Sequence, residues 1–240
     1  MISWVISACR WRFISSVRSS IISPAFSCAL RIALMRVVDP ASTTVQRSEA
    51  WRLATGPREL AWRQSWTPYE QVSIHLKRAV VAAEDAGFTE HSGVEWDALE
   101  QAWERNQRAE AKPGRGTPKV VGGSTITQQL AKNLFLGGER SFLRKGQELA
   151  LAYAMEALLG KRRILEIYLN SVEWGEGVFG AEAATRRYFR TGAASLGPQQ
   201  AAQLAVMLPA PKRFEKRPGS PYVMGRAATM SARLGAVEVP

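Results

Sequence analysis

The sequence predicts a mainly α-helical protein with one folded domain. Apolar residues recur three and four positions apart along most of the chain after Val38, which is the spacing of a helix with one buried face. Gly and Pro residues separate these segments, and the alternating patterns typical of strands are scarce. At 240 residues the chain is long enough for one domain with a sizeable core and an additional N-terminal segment.

The N-terminal segment has the composition of an exported or membrane-anchored leader. Residues 1–38 are rich in apolar residues and Ser and contain five arginines and no acid. The longest uncharged run, Ser19 to Leu30, has only 12 residues and stops at Arg31, whereas a membrane span needs about 20. We expect residues 1–37 to form an irregular signal-anchor with a cytoplasmic N-terminus, and residues 38–240 to form the domain. An interfacial amphipathic helix and a non-native extension are the alternatives.

Helix signals define the elements of the domain in order. Thr67, Pro68 and Glu70 resemble a capping box that opens a helix ending at Glu84. Residues 111–123 are rich in Gly, Pro and basic residues and predict a mobile loop beside a site. The other predicted helices cover residues 94–110, 125–135, 140–159, 161–169, 178–189, 197–207 and 221–234.

The charge of the chain predicts an anionic partner. Lys and Arg number 32 against 21 acids, a formal net charge of +11. Residues 112–145 hold seven cations and one acid, so the excess is concentrated there. Nucleic acid, an acidic lipid surface and pyrophosphate would each suit this charge. Without a zinc spacing, an RNA-recognition signature or basic-zipper heptads, we expect no nucleic acid, although a basic solvated face is the plainer interpretation.

Cysteine and histidine offer little for metal or redox chemistry. Cys9 and Cys28 both precede the domain, which excludes an internal disulfide or a cysteine-based zinc site within it. His75 and His91 each lack a partner at metal-ligand spacing in the sequence. We expect both histidines to be structural.

The residues from Gly122 to Asn133 have the composition of a ligand-binding helix start. Two glycines allow close approach of the backbone, and Ser124 or Thr125 can cap a helix whose free N–H groups face a sugar or phosphate. Gln128 and Gln129 cannot both share one helix face, and Gln129, one turn from Thr125, is the favoured one. An ordinary glycine-rich loop is the alternative interpretation.

Acidic residues elsewhere are candidates for catalysis. Glu84 and Asp85 follow each other at a predicted helix end. Arg140, Arg144 and Glu148 recur every four residues and therefore share one helix face. Surface charges and a solvent-exposed ion-pair ladder are the ordinary interpretations of these two patterns.

Five motifs in order resemble those of the peptidoglycan glycosyltransferases, glycosyltransferase family 51, which polymerise lipid II. The resemblance covers residues 38–234. No penicillin-binding transpeptidase region follows, and in this respect the chain resembles the monofunctional members. The motifs are Glu84–Gly93, Gly122–Asn133, Arg144–Glu148, Lys161–Asn170 and Gly177–Phe189. The family implies a lysozyme-like glycosyltransferase domain.

The resemblance also implies roles for particular residues. Glu84 falls at the catalytic glutamate, which takes the proton from the acceptor 4-hydroxyl, and Glu148 at a second essential glutamate that orients the donor site. His91 and Phe88 would support the base. The resemblance implies that pyrophosphate is bound by Lys132, Arg140, Arg144 and Lys145. The implied contacts to sugar, peptide or phosphate groups come from Asp85, Ser124, Thr125, Gln129 and Asn133.

The expected protein is therefore a transferase of bacterial cell-wall biogenesis at the cytoplasmic (inner) membrane, with its domain on the extracytoplasmic side. Lipid II, the growing glycan chain, the membrane and other cell-wall synthesis proteins are its expected partners. No organic cofactor is implied, and a divalent cation such as Mg²⁺ or Mn²⁺ is left open. A lytic muramidase is the enzymatic alternative, which would leave the cationic motif unexplained. The non-enzymatic alternative is a catalytically inactive membrane scaffold.

Overall fold

The structure is a computed structural model that describes residues 24–57, 62–110, 123–137 and 141–240. Helices dominate these ranges, as the sequence predicts. They are α1 (Pro24–Leu34), α2 (Thr44–Ala54), α3 (Ile74–Glu84), α4 (Trp96–Glu110), α5 (Ile126–Phe135), α6 (Phe142–Leu159), α7 (Lys161–Ser171), α8 (Ala181–Phe189), α9 (Pro198–Met207), α10 (Pro211–Phe214) and α11 (Pro221–Ser231). Almost all of the predicted loop at 111–123 lies outside the described residues.

A small sheet interrupts the helices where the sequence predicts one continuous helix over 178–189. Its strands are β1 (Arg63–Gln64), β2 (Glu173–Gly175) and β3 (Val178–Phe179), in the order β1-β3-β2. β3 runs parallel to β1 and antiparallel to β2. The predicted helix start was wrong because Gly180, at φ +85°, separates the strand from α8, and a Cβ there would lie 2.9 Å from the Asn170 carbonyl oxygen.

The predicted capping box before α3 was also wrong. Residues Tyr69–Gln71 form a short 3-10 turn, and α3 begins only after Ser73. The backbone N–H of Thr67 donates to Asn170 Oδ1 at 2.8 Å, and that of Tyr69 donates to Glu166 Oε1 at 3.1 Å. Side chains of α7 therefore satisfy the donors that a cap would have used.

The core is built around α7. Leu165, Tyr168 and Leu169, whose spacing places them on one face of this helix, are fully buried. Helices α5 and α6 pack against α7, while α3 packs against α9 and α11. The apolar face of α3 includes Leu76 and Val80, both fully buried. Because α3 and α5 are both anchored in this core, the end of α3 and the start of α5 lie at fixed positions.

The N-terminal helix α1 has one buried and one exposed apolar face. Ile32 and Met35 join the core, and α1 packs against α6. Phe26, Leu30 and Leu34, four residues apart, are exposed. None of the helices in the described ranges has the length and apolar character that crossing a bilayer requires. The domain boundary at residue 37 stays a prediction, with Ile32 and Met35 contributing to the core from the N-terminal side of it.

Candidate active site

Glu84, the last residue of α3, has a largely buried carboxylate with few hydrogen-bond partners in the described structure. Its Oε2 atom accepts a hydrogen bond from Gln129 Nε2 at 2.8 Å, and its Oε1 atom is buried without a hydrogen-bond partner among the described residues. Burial raises the pKa of the Glu84 carboxyl; the charge of Asp85 raises it further, and the Gln129 hydrogen bond and the charge of Lys132 lower it. A carboxylate with a raised pKa and an unused oxygen is suited to accept a proton.

Asp85 joins the end of α3 to the start of α5. Its Oδ2 atom accepts the backbone N–H of Ile126 at 2.9 Å, and its Oδ1 atom lies 2.8 Å from His91 Nε2. The N–H of Gly93 donates to His91 Nδ1 at 3.0 Å, so the ring proton lies on Nε2 and is donated to Asp85. Both Asp85 oxygens are thus used inside the protein, which favours positioning of Glu84 over direct contact with a substrate.

Thr125 caps α5. Its hydroxyl accepts the backbone N–H of Gln128 at 3.2 Å and donates to the Gly93 carbonyl oxygen at 2.7 Å. This side chain is buried, so it holds the helix start against the loop after Asp85. The neighbouring Ser124 is half-buried, and its hydroxyl accepts from Lys145 Nζ at 3.1 Å.

Gln128 and Gln129 form hydrogen bonds with different residues, because adjacent residues point to different sides of a helix. Gln129 donates to Glu84, while its Oε1 atom accepts from the Tyr168 hydroxyl at 3.0 Å. Gln128 is fully buried, and its Oε1 atom accepts from Lys145 Nζ at 3.1 Å. The residue favoured from the sequence, Gln129, is the one that contacts Glu84.

Glu148 forms a buried ionic cluster with two cations of α6. Its Oε1 atom accepts from Lys145 Nζ at 2.5 Å, and its Oε2 atom accepts from Arg144 Nη1 at 3.3 Å. Its side chain is 4% exposed, compared with 20% for Arg144 and 33% for Lys145. Lys145 donates to Ser124, Gln128 and Glu148, which uses all three of its protons. Lys145 therefore ties α6 to the start of α5.

Several donors near this cluster have no acceptor within the described part of the chain. They are Arg144 Nε and Gln128 Nε2, both buried. Lys132 and Asn133, half-buried on α5, likewise make no side-chain hydrogen bond to the described residues. An anionic oxygen would satisfy these donors. Arg140, the remaining predicted cation, lies outside the described residues.

A divalent cation has one candidate group in the described ranges. One ligand atom from each of Asp85, His91 and Glu95 lies within 4.8 Å of the others. However, the Asp85 oxygens and both nitrogens of His91 are already occupied by hydrogen bonds. A cation would have to displace the bonds that fix the start of α5, so this group does not fit a preformed metal site.

Two supporting contacts were not predicted from the sequence. No sequence pattern indicates that the Tyr168 hydroxyl donates to Gln129 Oε1. Glu156 accepts from the Thr127 hydroxyl at 2.6 Å and from Lys161 Nζ at 2.8 Å, joining α5, α6 and the start of α7. Helical spacing identifies the face on which each residue lies, but not the partner across an interface between helices.

Comparison with known proteins identifies the family of this chain. Residues 54–234 match the family model described as transglycosylase. A biosynthetic peptidoglycan transglycosylase of Bordetella pertussis is 55% identical over 202 residues, covering 84% of this chain and 82% of that protein. One from Paraburkholderia xenovorans is 52% identical over 210 residues, covering 88% and 85%. The match spans the helices that carry Glu84, Gln129 and Glu148, and the chain belongs to the transglycosylase family.

Proposed function

We propose that this transglycosylase polymerises lipid II by inverting glycosyl transfer, with Glu84 as the general base. Glu84 takes the proton from the 4-hydroxyl of the acceptor sugar. The hydroxyl oxygen then forms a bond to the anomeric carbon of the growing chain, and the bond from that carbon to the lipid pyrophosphate breaks. A single displacement inverts the configuration at the anomeric carbon. Burial, which raises the pKa of Glu84, supports its role as a proton acceptor.

The observation that carries this proposal is the meeting of the base and the cationic cluster at Ser124. Gln129 Nε2 lies 3.4 Å from the Ser124 carbonyl oxygen and also donates to Glu84. On the other side, Lys145 donates to the Ser124 hydroxyl and to Glu148. A base and a group of cations therefore flank one residue, which suits a reaction that needs a proton acceptor beside a departing anion.

The leaving pyrophosphate would be bound by the donors that lack acceptors. Arg144 keeps a buried Nε–H beyond its bond to Glu148. Lys132 is half-buried on α5, and its charge acts on Glu84. Arg140 joins this set because the family resemblance implies the same role for it. Lys145 is already saturated, so we assign it to holding Ser124 and Glu148 in place. Guanidinium groups suit phosphate because their planar forks make paired hydrogen bonds.

The alternatives do not use these cations. A muramidase cleaves a neutral glycan and has no anion to stabilise as it departs, although it also needs a carboxyl pair. An inactive scaffold would have no need for a buried carboxylate, because burial of a charge costs stability. The arrangement at Glu84 and Arg144 therefore favours transfer from a pyrophosphate donor.

We also propose that α1 lies against the extracytoplasmic face of the cytoplasmic membrane. Phe26, Leu30 and Leu34 form an exposed apolar stripe on the side of α1 opposite Ile32. On α6, Leu143 is exposed as well. Such a surface is typical of a helix buried shallowly in a bilayer, where the lipid part of the substrate also lies. The rest of the anchor predicted from the sequence, residues 1–23, lies outside the described ranges.

Product analysis tests the reaction. Purified protein is incubated with lipid II in one assay and with mature, lipid-free peptidoglycan in another. We expect glycan polymer and released undecaprenyl pyrophosphate from lipid II, and no soluble fragments from peptidoglycan. Solubilised peptidoglycan together with unpolymerised lipid II would instead support the muramidase. No reaction with either substrate, from folded protein in vesicles, would support the scaffold.

A further inference from the structure

We propose that Tyr168 is a positioning residue for the catalytic base and acts on Glu84 through Gln129. This inference rests on the proposed role of Glu84. The three side chains form a continuous hydrogen-bonded chain across three helices: Tyr168 on α7 donates to Gln129 on α5 at 3.0 Å, and Gln129 donates to Glu84 on α3 at 2.8 Å.

Glu84 needs such support because little else holds its carboxylate. The Gln129 amide donates to one of its oxygens, and the other oxygen is buried without a partner in the described structure. The direction in which the Gln129 amide faces therefore matters. If the amide turned by 180°, its carbonyl oxygen would face an ionised carboxylate, and two acceptors would repel each other.

Two contacts hold the amide in the orientation that serves the base. The Ser124 carbonyl oxygen, which can only accept, lies 3.4 Å from Gln129 Nε2. Tyr168 donates to Gln129 Oε1 at the opposite end of the amide. The Tyr168 contact is shorter, and it directs the Gln129 N–H group towards Glu84.

Tyr168 is a rigid and permanent donor. Its side chain is fully buried in the hydrophobic core, so the ring is held by the surrounding packing. Burial, together with the charges of Glu84 and Asp85, raises the pKa of the Tyr168 hydroxyl well above its ordinary value. The hydroxyl therefore keeps its proton throughout the range in which Glu84 titrates.

The test is Tyr168→Phe, which keeps the ring and removes only the hydroxyl. We expect kcat for lipid II polymerisation to fall about tenfold with little change in KM. The acid limb of the pH profile of kcat should move upward by roughly 0.5 to 1 pH unit, because a weakened Gln129 hydrogen bond no longer lowers the pKa of Glu84 as strongly. A fall in thermal stability with an unmoved acid limb would show a structural role and overturn the inference.

A double-mutant cycle shows whether Tyr168 acts through Gln129. In Gln129→Met, the amide is absent, so adding Tyr168→Phe should not move the acid limb further. An additional shift of similar size in that background would contradict the proposed path. Tyr188→Phe is the matched control, because the Tyr188 hydroxyl donates to the Trp174 carbonyl oxygen at 2.8 Å in another part of the core. It should leave the acid limb in place.

Glu84→Gln separates this inference from the proposed function. If Glu84→Gln polymerises lipid II at nearly the wild-type rate, Glu84 is not the base and the proposed function fails. If Glu84→Gln is inactive while Tyr168→Phe keeps the wild-type rate and acid limb, the base assignment stands and only the positioning role of Tyr168 fails.

Discussion

Asp85 accepts the backbone N–H of Ile126 at 2.9 Å and so joins the residue after the candidate base to the first turn of α5. A carboxylate at this place is favoured twice, because it satisfies a backbone donor and also interacts with the positive end of the helix. The same carboxylate binds His91. Glu84 therefore precedes a residue whose position is fixed from two sides.

Asp85→Ala should lower the free energy of unfolding by about 2 to 4 kcal/mol, because the Ile126 and His91 donors would both lose their buried acceptor. Activity should fall through kcat, since the end of α3 would no longer be held against α5. Urea unfolding and steady-state kinetics with lipid II measure the two effects. A raised KM with unchanged stability and kcat would mean that Asp85 contacts the substrate.

The stability of Glu84→Gln relative to wild type should depend on pH. Burial raises the pKa of Glu84 in the folded state, so the protonated form is favoured there. The wild type then loses stability as pH rises from the ordinary glutamate pKa of about 4.3 through the raised value. Glu84→Gln has no such cost, and its advantage should grow between pH 4 and pH 7.5 in urea unfolding. An advantage that shrinks over this range would contradict the raised pKa.

The sequence predicts the elements of this site better than its internal contacts. The Thr125 cap and the start of α5 follow from local residue types, and the i, i+4 spacing of Arg144 and Glu148 predicts their contact. The predicted start of α3 was wrong because side chains of α7, distant in sequence, accept hydrogen bonds from the Thr67 and Tyr69 backbone. Such partners, like the bond between Asp85 and the α5 backbone, depend on packing between helices, which local patterns do not specify.

Glu148→Gln should reduce kcat at least a hundredfold and lower stability by about 1 to 3 kcal/mol, because Arg144 and Lys145 would lose the negative charge that holds them. Glu104→Gln is the matched control. Glu104 also pairs with an arginine four residues away, Arg108, at 2.8 Å, but on an exposed surface. Glu104→Gln should therefore change kcat and the free energy of unfolding very little. Equal effects of the two substitutions would remove Glu148 from the donor site.

Replacing Phe26, Leu30 and Leu34 together with Ser should weaken binding to anionic phospholipid vesicles by roughly tenfold or more, because the exposed stripe of α1 would lose its apolar area. Thermal stability should stay near that of wild type, since these side chains lie outside the core. Trp51→Ser, at an exposed apolar residue of α2, is the control and should leave vesicle binding unchanged.

Removing the first 37 residues should have a different effect from changing the stripe. Loss of Ile32 and Met35 from the core should lower stability as well as membrane binding, while the domain that carries Glu84 and Glu148 stays folded in mild detergent. If the stripe variant binds vesicles as wild type does, α1 does not contact the membrane.

The most direct test of the account compares wild type and Glu84→Gln for both binding and turnover of lipid II. The substitution keeps the size of the side chain and removes its basicity, while Arg144, Lys132 and Glu148 remain in place for the pyrophosphate. We expect Glu84→Gln to bind lipid II with near wild-type affinity and to polymerise it about 10² to 10⁴ times more slowly. Polymerisation within a few-fold of the wild-type rate would contradict the assignment of Glu84 as the base.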